Sequence, residues 1–260
     1  MKKHVIYFDI DGTIIDSKKH SIPDSTKKAV DMLIKKGYQL CIATGRRFES
    51  IDKEVMDLYL WDGYVCDNGH DILDKKKKLI YEQYFDKETI QKIIDISNQT
   101  GVSVELKTFN DYFLVTQKNK AVEKAYKYFN IREPKVKRNI SYDNIIAIML
   151  FGEEKSSYDE FSLIDEIKIH PGVHCYADVT MKGYNKGKGI KKSLEALNKK
   201  KYIAIGDSMN DYDMLKQADV SIAMGNGENK LKETADYVTR NVDDDGILYA
   251  AKWIIDQEFD

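Results

Sequence analysis

Short apolar runs that give way abruptly to acidic or small polar residues recur through the first part of this chain, and a helix-like stretch separates each from the next. Val5-Ile6-Tyr7-Phe8 is the first run, and it passes directly into Asp9-Ile10-Asp11-Gly12-Thr13. Pro23 and Asp24 then open a predicted helix with an apolar face of Val30, Leu33 and Ile34, which Gly37 ends. Tyr38 to Ala43 is the next strand and leads into Thr44-Gly45-Arg46. Residues 47–58 read as a helix, and Tyr64-Val65-Cys66 leads into Asp67-Asn68-Gly69. This βαβαβ order predicts a parallel sheet whose loops of interest gather at the carboxyl ends of its strands.

The texture changes at residue 84. Helix-like segments at 86–99, 119–129 and 157–168 alternate with strand-like segments at 102–106, 112–116, 145–151 and 173–177, which describes a small α+β module. After Lys182-Gly183 the α/β alternation resumes. Ile190, Leu194 and Leu197 share a helix face, Tyr202 to Ile205 reads as a strand, and further strands fall at Val220 to Ala223 and Tyr237-Val238. The expected organisation is therefore discontinuous: residues 1–83 and 184–260 form a Rossmann-like α/β core with a parallel sheet flanked by helices, and 84–183 form an inserted domain. Lys75 to Lys78 sit at the tip of a predicted hairpin between Ile72-Leu73 and Leu79-Ile80.

With 41 Lys and Arg against 43 Asp and Glu, the 260-residue chain has a formal charge of −2, which gives no electrostatic basis for a nucleic-acid partner. The apolar run before Asp9 is too short for a signal-peptide core, and no later run is long enough to cross a bilayer. The reading is a soluble cytoplasmic protein with no membrane partner. Cys41, Cys66 and Cys175 are odd in number and widely spaced, so they read as small buried hydrophobes. Nothing in the sequence sets the oligomeric state.

Four polar clusters occupy predicted strand ends or helix starts: Asp9/Asp11/Thr13, Thr44-Gly45-Arg46, Lys186, and Gly206-Asp207-Ser208-Met209-Asn210-Asp211. Gly12 lets the chain turn at once, so Asp9 and Asp11 can converge on one small pocket. Together the clusters supply carboxylates for a hard cation such as Mg²⁺, hydroxyl and amide donors, and a cation, which is what a phosphoryl group requires. Each has a plainer reading as well. Asp207 and Thr44 can cap the helices that follow them, Lys188 competes with Lys186 as the functional lysine, and Arg46 or Arg47 can bind phosphate or pin a helix to a neighbouring loop.

The ordered strings Asp-x-Asp-Gly-Thr, Ala-Thr-Gly-Arg, Lys-Gly and Gly-Asp-x-x-Asn-Asp resemble the haloacid dehalogenase (HAD) superfamily, specifically its Cof-type phosphatases, and the insertion resembles their C2B cap. Asp67-Asn68-Gly69, Ile222 to Asn226, and Ala235 to Val238 with Asp245-Gly246-Ile247 extend the resemblance along the chain. It implies hydrolysis of small phosphomonoesters, with a sugar phosphate first among the metabolites, through an aspartyl-phosphate. Asp9 is then the nucleophile, an ordinary aspartate already ionised at neutral pH, and Asp11 the general acid and base. Mg²⁺ is held by Asp9, the backbone carbonyl of Asp11 and Asp207, with Asp211 supporting them from behind. Thr13, Thr44, the Gly45 N–H, Lys186 and Asn210 hold the phosphate. His70 stands where this branch has a small residue, and it either shapes the mouth of the site or is structural. Two other readings remain: a phosphotransferase or phosphomutase of the same superfamily, and a receiver-like signalling domain that also phosphorylates an aspartate.

Overall fold

β1 (Val5–Phe8) is buried at every position because it lies inside a parallel sheet with helices on both faces. β2 (Gln39–Ala43) pairs with it on one side, Val5 opposite Gln39, and Tyr202 of a much later strand lies opposite Val5 on the other. Ile6, Phe8, Leu40 and Ile42 enter one core with Val30 and Leu33 of α1 (Asp24–Lys35). Val5, Tyr7, Cys41 and Ala43 enter the opposite core. Each such side chain, fully buried, stabilises the fold by roughly 1.5–3 kcal/mol.

The computed structural model describes residues 4–108, 111–129, 132–138, 140–172, 175–257 and 259. The chain divides into two units, Met1–Glu82 with Tyr184–Asp260, and Gln83–Gly183. In the first unit α2 (Lys53–Leu58) leads to β3 (Gly63–Cys66), which is parallel to β2. The antiparallel pair β4 (Asp71–Asp74) and β5 (Leu79–Glu82) then completes that edge. At the hairpin tip, Asp74 Oδ1 accepts from the backbone N–H groups of Lys76 (2.8 Å) and Lys78 (2.9 Å), so an Asx-type turn forms and the lysines face solvent.

The second unit contains α3 (Lys87–Thr100), β6 (Ser103–Lys107), β7 (Tyr112–Leu114), α4 (Lys120–Phe129), β8 (Lys135–Val136), β9 (Ala147–Phe151), β10 (Ile167–Pro171) and β11 (Tyr176–Met181). Its sheet has the order β10-β11-β9-β6-β7-β8. Ile90, Ile93 and Ile94 of α3 pack on Val104, Leu106, Ile148 and Leu150, while Ala121, Val122 and Ala125 of α4 pack with Met149 and Phe151.

The chain then returns to the first unit through α5 (Lys186–Ala196), β12 (Tyr202–Gly206), α6 (Tyr212–Lys216), β13 (Val220–Ala223), α7 (Asn229–Lys232), β14 (Tyr237–Val238) and α8 (Gly246–Asp256). The sheet order is β14-β13-β12-β1-β2-β3-β4-β5. Residues of α8 join the core shared with α1, and Ile190, Leu194, Met214, Leu215 and Leu231 from α5, α6 and α7 fill the other. Both faces are thus covered, which gives the α/β class expected of a Rossmann-like core with an inserted α+β unit.

Three local expectations are corrected. Residues 47–58 do not form one helix: a 3₁₀ turn at Phe48–Ser50 and α2 are separated by extended backbone at Ile51 and Asp52. The Arg46 side chain takes the Ser50 carbonyl and the Asp52 carboxylate there, so that backbone bonds to a side chain instead of to the next helical turn. Residues 157–168 are also not helical. They give 3₁₀ turns at Lys155–Tyr158 and Glu160–Leu163 and then β10, whose Ile167 and Ile169 alternate with exposed Lys168 and His170. In the predicted 173–177 strand, 173 and 174 lie outside the described residues, and β11 begins at Tyr176. Cys41 and Cys66 are buried, but Cys175 is only half-buried. Among the described residues no helix is long and apolar enough to cross a membrane.

Asp71 at the start of β4 is buried opposite Cys66 and Glu82, and burial, reinforced by Asp67 and Glu82 and opposed by Arg47, pushes its carboxyl up from 3.8 to about 7. The folded state therefore binds the Asp71 proton more tightly than the unfolded chain does. The resulting penalty is absent below the unfolded value, grows between about pH 4 and 7, and is constant above. Asp71→Asn should accordingly gain stability relative to the unaltered protein as pH rises, by about 1 to 3 kcal/mol between pH 4 and 7.5 in urea unfolding. A difference independent of pH would refute the assignment.

Candidate active site

The carboxyl end of β1 places Asp9 where its backbone N–H still donates to Ile205 of β12 (3.0 Å) while its side chain, 4% exposed as a residue, leaves the sheet. Gly12 then turns the chain with φ +83°. A Cβ at Gly12 would lie 2.2 Å from Asp207 Oδ2, so both the backbone angle and the close approach require glycine. The Gly12 carbonyl accepts from Asn226 Nδ2 at 2.8 Å, which fixes this turn against the loop after β13.

Lys186 opens α5 and is completely buried. Its Nζ donates to Asp9 Oδ1 and Asp211 Oδ1, each at 2.6 Å. Burial alone would lower the lysine's proton affinity, but Asp211 and Asp9 outweigh it and hold the ammonium charged. Asp211 is also completely buried, and its second oxygen accepts from the Asp207 and Ser208 backbone N–H groups at 3.0 Å each. Ser208, not Asp207, is the cap of the 3₁₀ turn Met209–Asp211. Lys188, the competing lysine, is exposed, with its ammonium 5.6 Å from the centre of the Tyr184 ring.

Carboxylate oxygens of Asp9, Asp207 and Asp211 all lie within 4.8 Å of one another. Burial pushes Asp9 up to about 8, with Asp211 and Asp207 adding repulsion and Lys186 opposing it. Asp207 is pushed up to about 7, again by burial first and then by Asp211. With no metal ion among them, three crowded acids share one lysine, and Asp9 holds a proton more tightly than an ordinary aspartate does. Among the described residues, Asp207 Oδ1 is buried without a hydrogen-bond partner. An unmatched oxygen beside crowded carboxylates fits a hard divalent cation such as Mg²⁺, whose preferred ligands are oxygens.

Thr44, completely buried at the end of β2, accepts from the Arg46 backbone N–H through Oγ1 (3.1 Å) and so serves as a local cap. Beside it, a Cβ at Gly45 would lie 3.1 Å from Asn68 Oδ1 and 3.4 Å from Asn210 Nδ2. Asn210 Nδ2 donates to Asn68 Oδ1 at 3.3 Å, so Gly45, Asn68 and Asn210 meet from three loops. Thr13 is buried, and its Oγ1 has no partner among the described residues. These hydroxyl, amide and N–H groups are the donors available to a phosphoryl group.

Asp11 is not in the buried carboxylate group. Its side chain is half exposed, and Arg46 holds both of its oxygens, Nε to Oδ2 at 2.8 Å and Nη2 to Oδ1 at 2.7 Å. Two contributors were absent from the sequence-derived site, Asn68 and Asn226, while Arg46, read there as a phosphate binder or a pin to a neighbouring loop, joins Asp11 to the Ser50–Asp52 segment. Asn68 had a visible signal, because Asp67 and Asn68 both adopt positive φ (47° and 53°) in a strand-end Asp-Asn-Gly, where asparagine tolerates that conformation. His70 is buried and pushed down to about 4 by desolvation, and its ring packs edge-on against Tyr184 at 5.4 Å. Its Nδ1 lies 3.9 Å from Asp67 Oδ2, so the ring packs within this unit.

This geometry belongs to a recognisable class. A family profile described as haloacid dehalogenase-like hydrolase matches residues 6–250. The putative phosphatase YkrA of Bacillus subtilis strain 168 is 30% identical over 258 residues, covering 97% of this chain and 98% of the relative. From the same organism, 5-amino-6-(5-phospho-D-ribitylamino)uracil phosphatase YcsE is 26% identical over 254 residues, with 96% of each chain covered. The solved structure of a HAD subclass IIB sugar phosphatase superposes with a TM-score of 0.77 at 28% identity, over 96% of this chain and 98% of that one. The chain belongs to the haloacid dehalogenase-like hydrolases, and it is a phosphatase of that family.

Replacing Lys186 by methionine leaves Asp9 and Asp211 buried without their cation and should cost about 3–5 kcal/mol in urea unfolding at neutral pH. The matching change at exposed Lys188 should stay within about 0.5 kcal/mol. Equal effects at the two positions would show that the buried ion pairs do not organise this site.

Proposed function

We propose that this protein hydrolyses small phosphomonoesters, with Mg²⁺ as cofactor, through a phosphorylated Asp9. The observation that carries this reading is the group of three buried or half-buried carboxylates around one lysine, with an Asp207 oxygen left unmatched. The ligands assigned to the cation are the side chains of Asp9 and Asp207 and the backbone carbonyl of Asp11, with Asp211 supporting them through Lys186 and the Asp207 backbone. When bound, the cation supplies positive charge that lowers repulsion between Asp9 and the phosphoryl oxygens.

A carboxylate oxygen of Asp9 forms a bond to phosphorus as the ester P–O bond breaks, and Asp11 gives its proton to the departing oxygen. Asp11, now a carboxylate, takes a proton from water. The water oxygen bonds to phosphorus as the Asp9–phosphorus bond breaks, releasing inorganic phosphate and restoring both acids. Lys186, Thr13, Thr44, the Gly45 N–H and Asn210 are assigned to the phosphoryl oxygens. The inserted unit is assigned the choice of leaving group, as the resemblance to capped family members implies. The named activities of the relatives, a ribitylaminouracil phosphate phosphatase and a sugar phosphatase, support a small phosphorylated metabolite, and a sugar phosphate heads the candidates.

The test is phosphate release from a panel of sugar phosphates, nucleotides and cofactor phosphates, each with Mg²⁺ and with EDTA. Release should require the metal and fall to the assay background in Asp9→Asn. Asp207→Asn should raise the Mg²⁺ concentration for half-maximal rate by about tenfold or more. An unchanged Mg²⁺ requirement would remove Asp207 from the ligand set. Phosphorylated Asp9 with no free phosphate would point to a phosphotransferase.

A further inference from the structure

Arg46 lies outside every role assigned so far, yet it is the most fully engaged side chain at the rim of the site. Its Nε and Nη2 grip the two oxygens of Asp11 at 2.8 and 2.7 Å. Its Nη1 donates to Asp52 Oδ2 at 2.7 Å and to the Ser50 carbonyl at 3.2 Å. The Arg46 backbone is fixed as well, its N–H donating to Thr44 Oγ1 (3.1 Å) and its carbonyl accepting from the Asp67 N–H (2.9 Å). The guanidinium is therefore a bracket with one arm on Asp11 and the other on the Ser50–Asp52 segment.

We propose that Arg46 is the positioning residue for Asp11, anchored for that purpose by Asp52 and Ser50. The inference rests on Asp11 being the general acid and base of the proposed hydrolysis. Asp11 stands just before the Gly12 turn at a half-exposed position, and among the described residues it is Arg46 that holds its two carboxylate oxygens. A planar fork with two parallel N–H donors fixes both the position and the plane of a carboxylate, which a lysine's point charge does not. The break between the 3₁₀ turn Phe48–Ser50 and α2 has a function on this account: it turns the Ser50 carbonyl and the Asp52 carboxylate towards Arg46. A phosphate-binding role for this arginine is disfavoured, because three of its nitrogens are already committed to protein acceptors.

The test compares kcat/KM for two substrates of the intact protein with Mg²⁺ present. An alkyl phosphate needs a proton on its leaving oxygen, whereas p-nitrophenyl phosphate expels a stabilised phenolate that does not. Arg46→Gln should lower kcat/KM for the alkyl phosphate by about 10- to 100-fold while changing that for the aryl phosphate by less than about threefold. Arg46→Lys should fall between Arg46→Gln and the unaltered protein. Asp52→Asn, at an exposed position that leaves Arg46 and Asp11 in place, should show a smaller loss with the same alkyl preference. For the aryl substrate, kcat should also fall and a burst of nitrophenolate should appear, because Asp11 must still activate water for dephosphorylation.

Equal losses of kcat/KM on both substrates, or a rise in KM alone, overturn the positioning role while leaving the phosphatase reading intact. Absence of Asp9-dependent turnover of either substrate by the unaltered protein overturns that reading and this inference together.

Discussion

A lysine with no exposed surface, held between two aspartates, is the interaction around which the first unit is arranged. Transferring an ammonium out of water is costly unless carboxylates meet it at hydrogen-bond distance, and Asp9 and Asp211 both do so at 2.6 Å. Those three residues come from β1, the start of α5 and the loop after β12, so one ion cluster joins the chain before the insertion to the chain after it. The constraint then propagates. Asp211 uses its other oxygen to hold the Asp207 and Ser208 N–H groups, which sets the path of the loop, and Asp207 in turn lies so close to Gly12 that no side chain fits there. The result is a site with three acids to one cation.

Much of this was legible in the sequence because parallel strands buried on both faces write themselves as short apolar runs with sharp ends. Val5–Phe8, Gln39–Ala43, Gly63–Cys66 and Tyr202–Gly206 fall where those runs are, and the residues immediately after them furnish Asp9, Thr44, Asn68 and Asp207. Spacing along the chain also separated Lys186 from Lys188 only weakly. What distinguishes the two is helix phase at the start of α5, which buries the first and exposes the second.

The failures share a cause. Residues 47–58 carry helix-compatible residues, but the partner that breaks the helix, the Arg46 side chain, also answers to Asp11, 35 positions away. At 157–168 a periodic pattern was read across residues where the local preference changes to alternation at Ile167–Pro171, and pairing with β11 decides the outcome. The raised proton affinity of Asp9 was not legible in the sequence for a related reason. Composition gives the ordinary behaviour of an aspartate, whereas burial beside Asp211 and Asp207 is a fact of three dimensions.

Asp9 and Asp11 differ by two positions in sequence and not at all in chemistry, yet the fold gives them opposite surroundings. Asp9 is buried against a lysine that it shares with Asp211, while Asp11 is half exposed against an arginine that it shares with Asp52. Both pairs follow one plan, a single cation divided between two carboxylates, carried out once in the buried interior and once at the surface. An attacking carboxylate gains from a dry site in which the charge it meets is fixed in place, because no solvent has to reorganise as the new bond forms. A carboxylate that must pass protons to a leaving oxygen and take them from water gains from contact with solvent, provided that something fixes its orientation. Two identical side chains assigned to different chemistry must be distinguished by environment alone. Here the distinction is made where the chain leaves β1, with Asp9 kept in the buried interior and Asp11 carried out to the rim, and by the choice of lysine for the first and arginine for the second.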